Sequence, residues 1–390
     1  MQKKKQKVEK KVKIKFNPFD KTIFVVVLLL VAFGFIMVLS ASAPSALAEY
    51  NDSYRYFRTQ VLTGLFGVFV MIVASYFDYR ILTRTKIYIV AYIVGVAMIF
   101  SVLTPFGVEV NGARRWINVG LQLQPSEITK ICTIVGLAGY YSDKKWDFNK
   151  IWYSTVIPFI ATVVPVLLLY KIQNHLSAGI LIFSIGIIIM CMSGVKSKDL
   201  IKTFLGFGAA GALLFSILKD KLLGNSFRGN RITAWLDPWS DSSDTGYQTI
   251  QSLYAIGSGG LFGVGLGKSK QKYLYIPEAH NDFIFAIIAE ELGFVGCATV
   301  IILFAVLIVR GVYIAACAKE KSGTLMGVGI ITMIAVQVIL NIAVVTNTIP
   351  NTGISLPFLS YGGSSLIILL GSIGLLLNIS RTNKKYEIEK

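Results

Sequence analysis

From Thr22 to Leu39 the chain reads TIFVVVLLLVAFGFIMVL without a single charge, and stretches of this kind return along its whole length. A hydrocarbon layer of about 30 Å is crossed by roughly 20 apolar residues in a helix. Lipid offers backbone groups no hydrogen bonds, so a run of this length has few choices besides α-helix. Ten candidate spans follow, at 22–42, 58–77, 87–106, 126–141, 151–170, 176–193, 203–218, 282–309, 324–345 and 361–380. The fourth is short and carries Lys130. The expected fold is an all-α polytopic membrane protein of about ten transmembrane helices. An even number places both termini on one side.

Composition supports this class. Of 390 residues, 54% are hydrophobic and only 15% charged, whereas soluble domains are about 25% charged. The mean hydropathy is +0.64. A net charge of +17 could suggest nucleic acid, but the basic residues fall in short runs between apolar segments. That is how membrane topology is encoded, and no nucleic-acid partner is expected. With the N-terminus inside, the tails and the loops at 78–86, 142–150, 194–202 and 310–321 hold 25 basic residues. The other side holds 12, seven of them in the segment 219–281, and long translocated loops count little in the rule. Both termini are therefore expected in the cytoplasm, with one long extracytoplasmic loop between helices 7 and 8. The parts are a basic tail at 1–21, a transmembrane domain at 22–380 and a short tail at 381–390.

The first fifteen residues carry eight lysines, and SASA follows the first apolar run, as in a cleavable signal peptide. The run is longer than a signal core and many spans follow, so an uncleaved first helix is expected. Cys132, Cys191, Cys297 and Cys317 form no CxxC pair and lie in or at the ends of apolar spans. They read as small packing residues rather than bridges or zinc ligands.

The long external segment contains YQTIQSLYAIG, with the spacing of a short amphipathic helix, and the glycine run GSGGLFGVGLG. That run has neither a preceding strand nor Walker spacing, so close helix packing or a hinge is the expectation. The segment re-enters the membrane through IPEAHNDFIFAIIAEELGFVG, at 276–296, which concentrates Glu278, His280, Asp282, Glu290 and Glu291 at one edge of an apolar run. Charge in a membrane costs about 3 kcal/mol at mid-helix, so each such residue is a functional candidate. Asp282 could equally cap the eighth helix. Glu290 and Glu291 lie deeper, and pairing with a buried cation, best Lys130, is expected of them. Glu127 and Lys130 share a helix face and should pair with each other. His280 is a candidate acid or base, or a structural loop histidine. NGARRWINVG puts Arg114, Arg115 and Trp116 on the external side, to hold an anionic headgroup or pyrophosphate or to anchor the chain. NTGISLPFLSYGGSS, at 351–365, is broken by Gly and Pro. Such backbone at membrane depth should line a cavity, with Ser360 and Tyr361 as candidate substrate contacts.

Taken together, RRWINVGLQLQPSEITK, GYQTIQSLYAIGSGGLFGVGLG, YIPEAHNDFIFAIIAEELGFVG and PNTGISLPFLSYGGSS resemble the signature blocks of the SEDS family. Its members are the bacterial shape, elongation, division and sporulation proteins FtsW, RodA and SpoVE. The blocks stand in family order and the likeness runs from about residue 20 to 380. LDPWSDSSDTGYQ, PEAHND and VVTNTIPNTG look more like the FtsW/SpoVE branch than the RodA branch. One departure is QNHLSAG at 173–179, where many members carry Pro-Asp-Leu-Gly-Thr: His175 replaces the Asp, and no role carries over to it.

The resemblance implies ten transmembrane helices in a bacterial cytoplasmic membrane, with an active site on the extracytoplasmic side. It implies a peptidoglycan glycosyltransferase acting on lipid II, with a class B penicillin-binding protein and other divisome or sporulation membrane proteins as partners. The essential aspartate matches Asp282, and the fourth-helix Glu and Lys match Glu127 and Lys130. Joining sugars through a β-1,4 bond from an α-linked pyrophosphate inverts the anomeric carbon and calls for one general base, which Asp282 would supply. Arg114, Arg115 and Lys130, or a divalent cation such as Mg²⁺, would bear the leaving pyrophosphate. Lys130 is also a candidate to orient Asp282 and keep it ionised. Arg228, Arg231, Lys268, Lys270 and Lys272 in the long loop would gather the substrate. A lipid II flippase and a non-enzymatic division scaffold are the rival readings, and neither needs an external general base.

Overall fold

In a computed structural model of the chain, residues 18–110, 112–118, 120, 122–209, 235–241 and 246–382 are described. The helices are α1 (Lys21–Tyr50), α2 (Arg55–Tyr76), α3 (Thr85–Phe100), α4 (Pro125–Ser142), α5 (Ile157–Gln173) and α6 (Leu176–Met192). They continue with α7 (197–209), α8 (Tyr247–Gly259), α9 (Ile284–Ala316), α10 (Lys321–Val345) and α11 (Gly363–Arg381). Seven of these, some with their short 3-10 or π extensions, are long and apolar enough to cross a membrane: α1, α2, α3, α5, α9, α10 and α11. The shorter α4 and α6 pack among them. The seventh expected span, 203–218, is helical as far as residue 209, and its remainder lies outside the described residues.

The outer faces are apolar. Leu62, Leu65, Phe66 and Phe69 of α2 and Phe294, Ile302 and Val309 of α9 are exposed, as a lipid solvent permits. The interior gathers on α10, α4 and α11, with Ile134, Ile330, Ile334, Leu370 and Ile373 buried in one core. At one end, Asp20 caps α1 by accepting the Ile23 amide (3.0 Å) and takes two bonds from Arg310 of α9 at 2.7 and 2.8 Å.

The fold departs from the purely helical expectation in two places. The third span ends early, and the segment expected to join it to the fourth forms a three-stranded antiparallel sheet. Its strands are β1 (Gly107–Val110), β2 (Ala113–Asn118) and β3 (Gln122–Leu123), in the order β1-β2-β3. The strand ARRWIN is partly exposed and shifts register against β1 between Val108 and Glu109, and Gly112 (φ +73°) and Gly120 (φ +90°) provide the turns.

The second departure is in α9, which is broken at Gly293 (φ +65°, ψ −161°). In an unbroken helix the amides of Phe294 and Val295 would donate to the carbonyls of Glu290 and Glu291. Here Phe294 donates to Gly260 (2.9 Å) and Val295 to Leu261 (3.1 Å), while Val264 donates to Glu290 (2.9 Å) and Gly265 to Glu291 (3.0 Å). The end of α8 and the break in α9 have exchanged helical hydrogen bonds. Two backbones approach this closely only without side chains: a Cβ on Gly259, Gly263 or Gly293 would collide with the facing main chain. The glycine run is a close-packing device, one of the two roles expected of it.

Candidate active site

The chemistry-bearing residues gather at the end of the bundle opposite Asp20. Asp282 lies in the turn leading into α9 and is partly buried. The N-cap position of α9 belongs to Phe283, whose side chain makes no capping bond. The main chain of Asp282 is held. Asn341 Nδ2, from α10, donates to the Asp282 carbonyl (2.8 Å) and to the Ile354 carbonyl (2.6 Å). A Cβ built on Gly353, whose φ is +66°, would lie 3.2 Å from Asp282 Oδ2, so the 351–362 segment runs directly against the carboxylate.

That segment is irregular backbone inside a helical bundle, and its polar groups must find partners within the protein. Side-chain amides provide several. Gln60 of α2 donates to the Ser360 carbonyl (3.1 Å) and accepts the Gly362 amide (3.2 Å). Gln337 of α10 donates to the Ser355 carbonyl (3.1 Å). Ser177, at the start of α6, donates to the Thr352 carbonyl. Phe358 is held at φ +64° and Glu278, in the facing turn, at φ +49°. Such conformations cost about 1–3 kcal/mol each and persist where surroundings over-determine them.

Ser360, expected as a substrate contact, is buried and its hydroxyl accepts the Leu356 amide (2.7 Å), so it braces the segment. Tyr361 donates its amide to the His280 carbonyl (2.9 Å), and its ring stands 5.6 Å from that imidazole. Tyr56 packs on the same imidazole, with ring centres 4.5 Å apart. Burial pushes the His280 pKa down to about 4, against the opposing pull of Glu278 and Glu49. His280 is thus a neutral ring in a cluster of three, with Tyr56 and Tyr361 4.9 Å from each other.

Glu127 and Lys130 pair as expected, 2.8 Å apart, with Lys130 1% and Glu127 13% exposed. Glu127 also lines a small cavity of about 20 Å³ shared with Gln337, Ser360 and Tyr361, which ties the fourth helix to the broken segment. Arg115 donates to the carbonyls of Gln173 (3.2 Å) and Asn174 (2.9 Å), fastening the small sheet to the α5–α6 turn. His175 follows in that turn, buried. Desolvation first, and then the positive charges of Arg115 and Lys130, press its pKa down to about 3.

Several expectations are corrected. Arg114 and Arg115 are neighbours on β2 at a shift in its register against β1, and they take separate partners. Arg114 instead approaches Glu109 on β1 at 3.6 Å, both exposed, and Trp116 pairs with Val108 across the same ladder. Glu290 and Glu291 do not meet Lys130. Glu291 (0% exposed) pairs with Lys272 (5% exposed) at 2.9 Å, and Ser40 of α1 donates to the same carboxylate (2.7 Å). Glu290 accepts the amides of Lys270 (2.8 Å) and Gln271 (3.3 Å) and the Ser269 hydroxyl. Lys272 is buried inside this knot and is not a loop cation for substrate. Two adjacent carboxylates hold the returning strand of the α8–α9 connection beside the glycine crossing. Arg228 and Arg231 lie outside the described residues. Among the described residues no three His, Cys, Asp or Glu side chains converge to hold a metal.

Sequence reasoning missed Asn341, Gln60 and Gln337. The signal was available, because an amide inside an apolar span needs a partner. What it needed to bond lay hundreds of residues away for Gln60.

This is a polytopic membrane protein with a carboxylate held at one mouth of its helical bundle and a buried Glu127–Lys130 pair on its fourth helix. The family model described as a cell cycle protein, FTSW_RODA_SPOVE, matches residues 20–385. The chain belongs to that family. Stage V sporulation protein E of Bacillus subtilis is 40% identical over 94% of this chain and 98% of its own length. The probable peptidoglycan glycosyltransferase FtsW of Geobacter sulfurreducens is 39% identical over 93% of this chain and 95% of its own. Among solved structures, a peptidoglycan synthase complex that coordinates polymerization and crosslinking contains a chain with TM-score 0.76 and 26% identity, covering 93% of this chain and 98% of that one. Thermus thermophilus rod shape determining protein RodA has TM-score 0.64 and 25% identity, covering 94% and 98%.

Proposed function

We propose that this protein is a peptidoglycan glycosyltransferase that polymerises lipid II, with Asp282 as the general base. The observation that carries the reading is how Asp282 is held. Its main chain is fixed by Asn341 and its carboxylate faces the Gly353 backbone. A carboxylate on a main chain fixed this way is placed for chemistry.

In the proposed reaction Asp282 takes the proton of the acceptor hydroxyl as that oxygen attacks the anomeric carbon. The bond to pyrophosphate breaks on the opposite face and the configuration inverts. Pyrophosphate is already a good leaving group, so cations to bear its charge suffice. Arg115 and Lys130, which together weigh on His175, are the proposed holders. No step is routed through a metal. The site belongs on the extracytoplasmic side, because it lies at the end of the bundle away from the basic loops at 142–150 and 310–321. A class B penicillin-binding protein is the proposed partner, since the new glycan must be crosslinked. Division or sporulation is the proposed setting, as for the FtsW and stage V sporulation relatives.

The test is lipid II polymerisation by the purified protein with its cognate transpeptidase, comparing wild type and Asp282→Asn at equal folded amounts. Long glycan from wild type and none from the variant is expected. Equal polymer from both would remove Asp282 from the chemistry. No polymer, with protein-dependent passage of lipid II across vesicles, would replace this reading with a flippase.

A further inference from the structure

At the end of the bundle opposite Asp282, a cavity of about 380 Å³ opens between the C-terminal end of α4, the turn after α6 and the start of α10. Aromatic rings form much of its wall. Tyr141 and Phe148 stand 5.7 Å apart, and Tyr140 behind them contacts Trp146 at 5.4 Å. These walls are fixed. The Tyr141 hydroxyl donates to the Ser154 carbonyl (2.8 Å), and Trp146 Nε1 donates to the Tyr88 hydroxyl (3.2 Å). Tyr88 in turn donates to Asp143 (3.2 Å). The cavity is preformed, within the size range of small-molecule sites.

Two cations reach it from separate elements, Lys196 after α6 and Lys321 at the start of α10. The Lys321 ammonium lies 5.4 Å from the Phe148 ring centre and 5.9 Å from that of Tyr141, so the rings steer its head over the cavity. Asp147 also lines the space, but its carboxylate accepts the amide (3.1 Å) and Nδ2 (3.2 Å) of Asn149. Two lysines against one carboxylate that is already hydrogen-bonded favour an anion, and the volume leaves room for more than bare phosphate. The position narrows the choice. The surrounding loops are the basic ones, and Ile151 and Trp152, just beyond the aromatic loop, are exposed apolar residues suited to a membrane interface.

We propose that this cavity binds the phosphate diester headgroup of an anionic phospholipid from the leaflet at this end. Basic pockets between transmembrane helices recognise such headgroups. The bound headgroup fastens α4, α6 and α10 together. Two of these helices carry Lys130 and Asn341 to the other end.

The test uses the full-length protein in detergent and native mass spectrometry. Phosphatidylglycerol, phosphatidylcholine and glycerol 3-phosphate are added in separate arms. Wild type is expected to retain one phosphatidylglycerol over phosphatidylcholine by about ten-fold or more. Lys196→Gln with Lys321→Gln should abolish that preference. Lys144→Gln with Lys145→Gln removes equal charge from the adjoining loop, outside the cavity lining, and should leave the preference intact. Equal loss in both double variants, or no preference in wild type, would overturn the site in favour of diffuse charge attraction. Retention of glycerol 3-phosphate as strong as that of the lipid would overturn the lipid source and assign a soluble phosphate ester.

Discussion

Asn341 and Asp282 are joined through the main chain: the Asn341 amide donates to the Asp282 carbonyl at 2.8 Å, and its second bond goes to Ile354 at 2.6 Å. One buried side chain thus sets the separation between the turn that bears the proposed base and the broken segment facing it. Asn341→Leu would leave both carbonyls without this donor, at about 1–3 kcal/mol for each left unsatisfied. Polymerisation is expected to fall by about ten-fold or more, the equivalent of 1.4 kcal/mol, even in protein that remains folded. Full activity with an unchanged melting temperature would show that the bridge does not position Asp282.

The crossing at Gly293 gives a steric prediction. The residue is at φ +65° and its missing Cβ would strike the main chain of Gly263 and Leu261. Gly293→Ala should destabilise the protein by more than about 1 kcal/mol, because alanine is strained at positive φ and neither backbone can retreat. Gly194→Ala, also at positive φ but with open space around it, is the comparison and should cost less. Comparable melting temperatures for the two variants would refute the close-approach argument.

Lys272 and Glu291 make a buried pair that tolerates loss of neither partner alone. Removing one side of such a pair typically costs about 3–5 kcal/mol, since the other charge stays buried. Lys272→Met is expected to lower the melting temperature sharply, and adding Glu291→Gln should recover much of the loss. A double variant no better than Lys272→Met would mean that lost packing dominates.

His280 links stability to pH. Its pKa in the fold, about 4, lies below the ordinary imidazole value because burial disfavours the cation. Protons then bind the unfolded state more readily, so its stabilising effect is complete above about pH 6.5 and is lost as pH falls towards 4. His280→Asn should flatten part of the melting-temperature decline between those values. An identical decline in the variant would assign the pH dependence to other groups.

Membrane class, the placing of most spans, the amphipathic helix at Tyr247–Gly259, the Glu127–Lys130 pair and the concentration of charge near Asp282 were all legible in the order of residues. Each depends on local periodicity, or on the fact that lipid gives backbone and charge no partner outside the protein. The partners of Glu290, Glu291 and Lys272 were not legible. Three ionisable groups near one another in sequence have several pairings of similar local plausibility. The choice fell to a backbone crossing that brings the loop after α8 against α9 and buries Lys272 beside Ser40 of the first helix. The sheet between α3 and α4 likewise set Arg114 against Glu109 and Arg115 against the α5–α6 turn, partners that chain order does not show. Sequence by itself determined which segments enter the membrane, because hydrophobic transfer is additive along a chain. Only the tertiary structure decided which buried polar groups satisfy one another, because that depends on distances between helices that chain order does not encode.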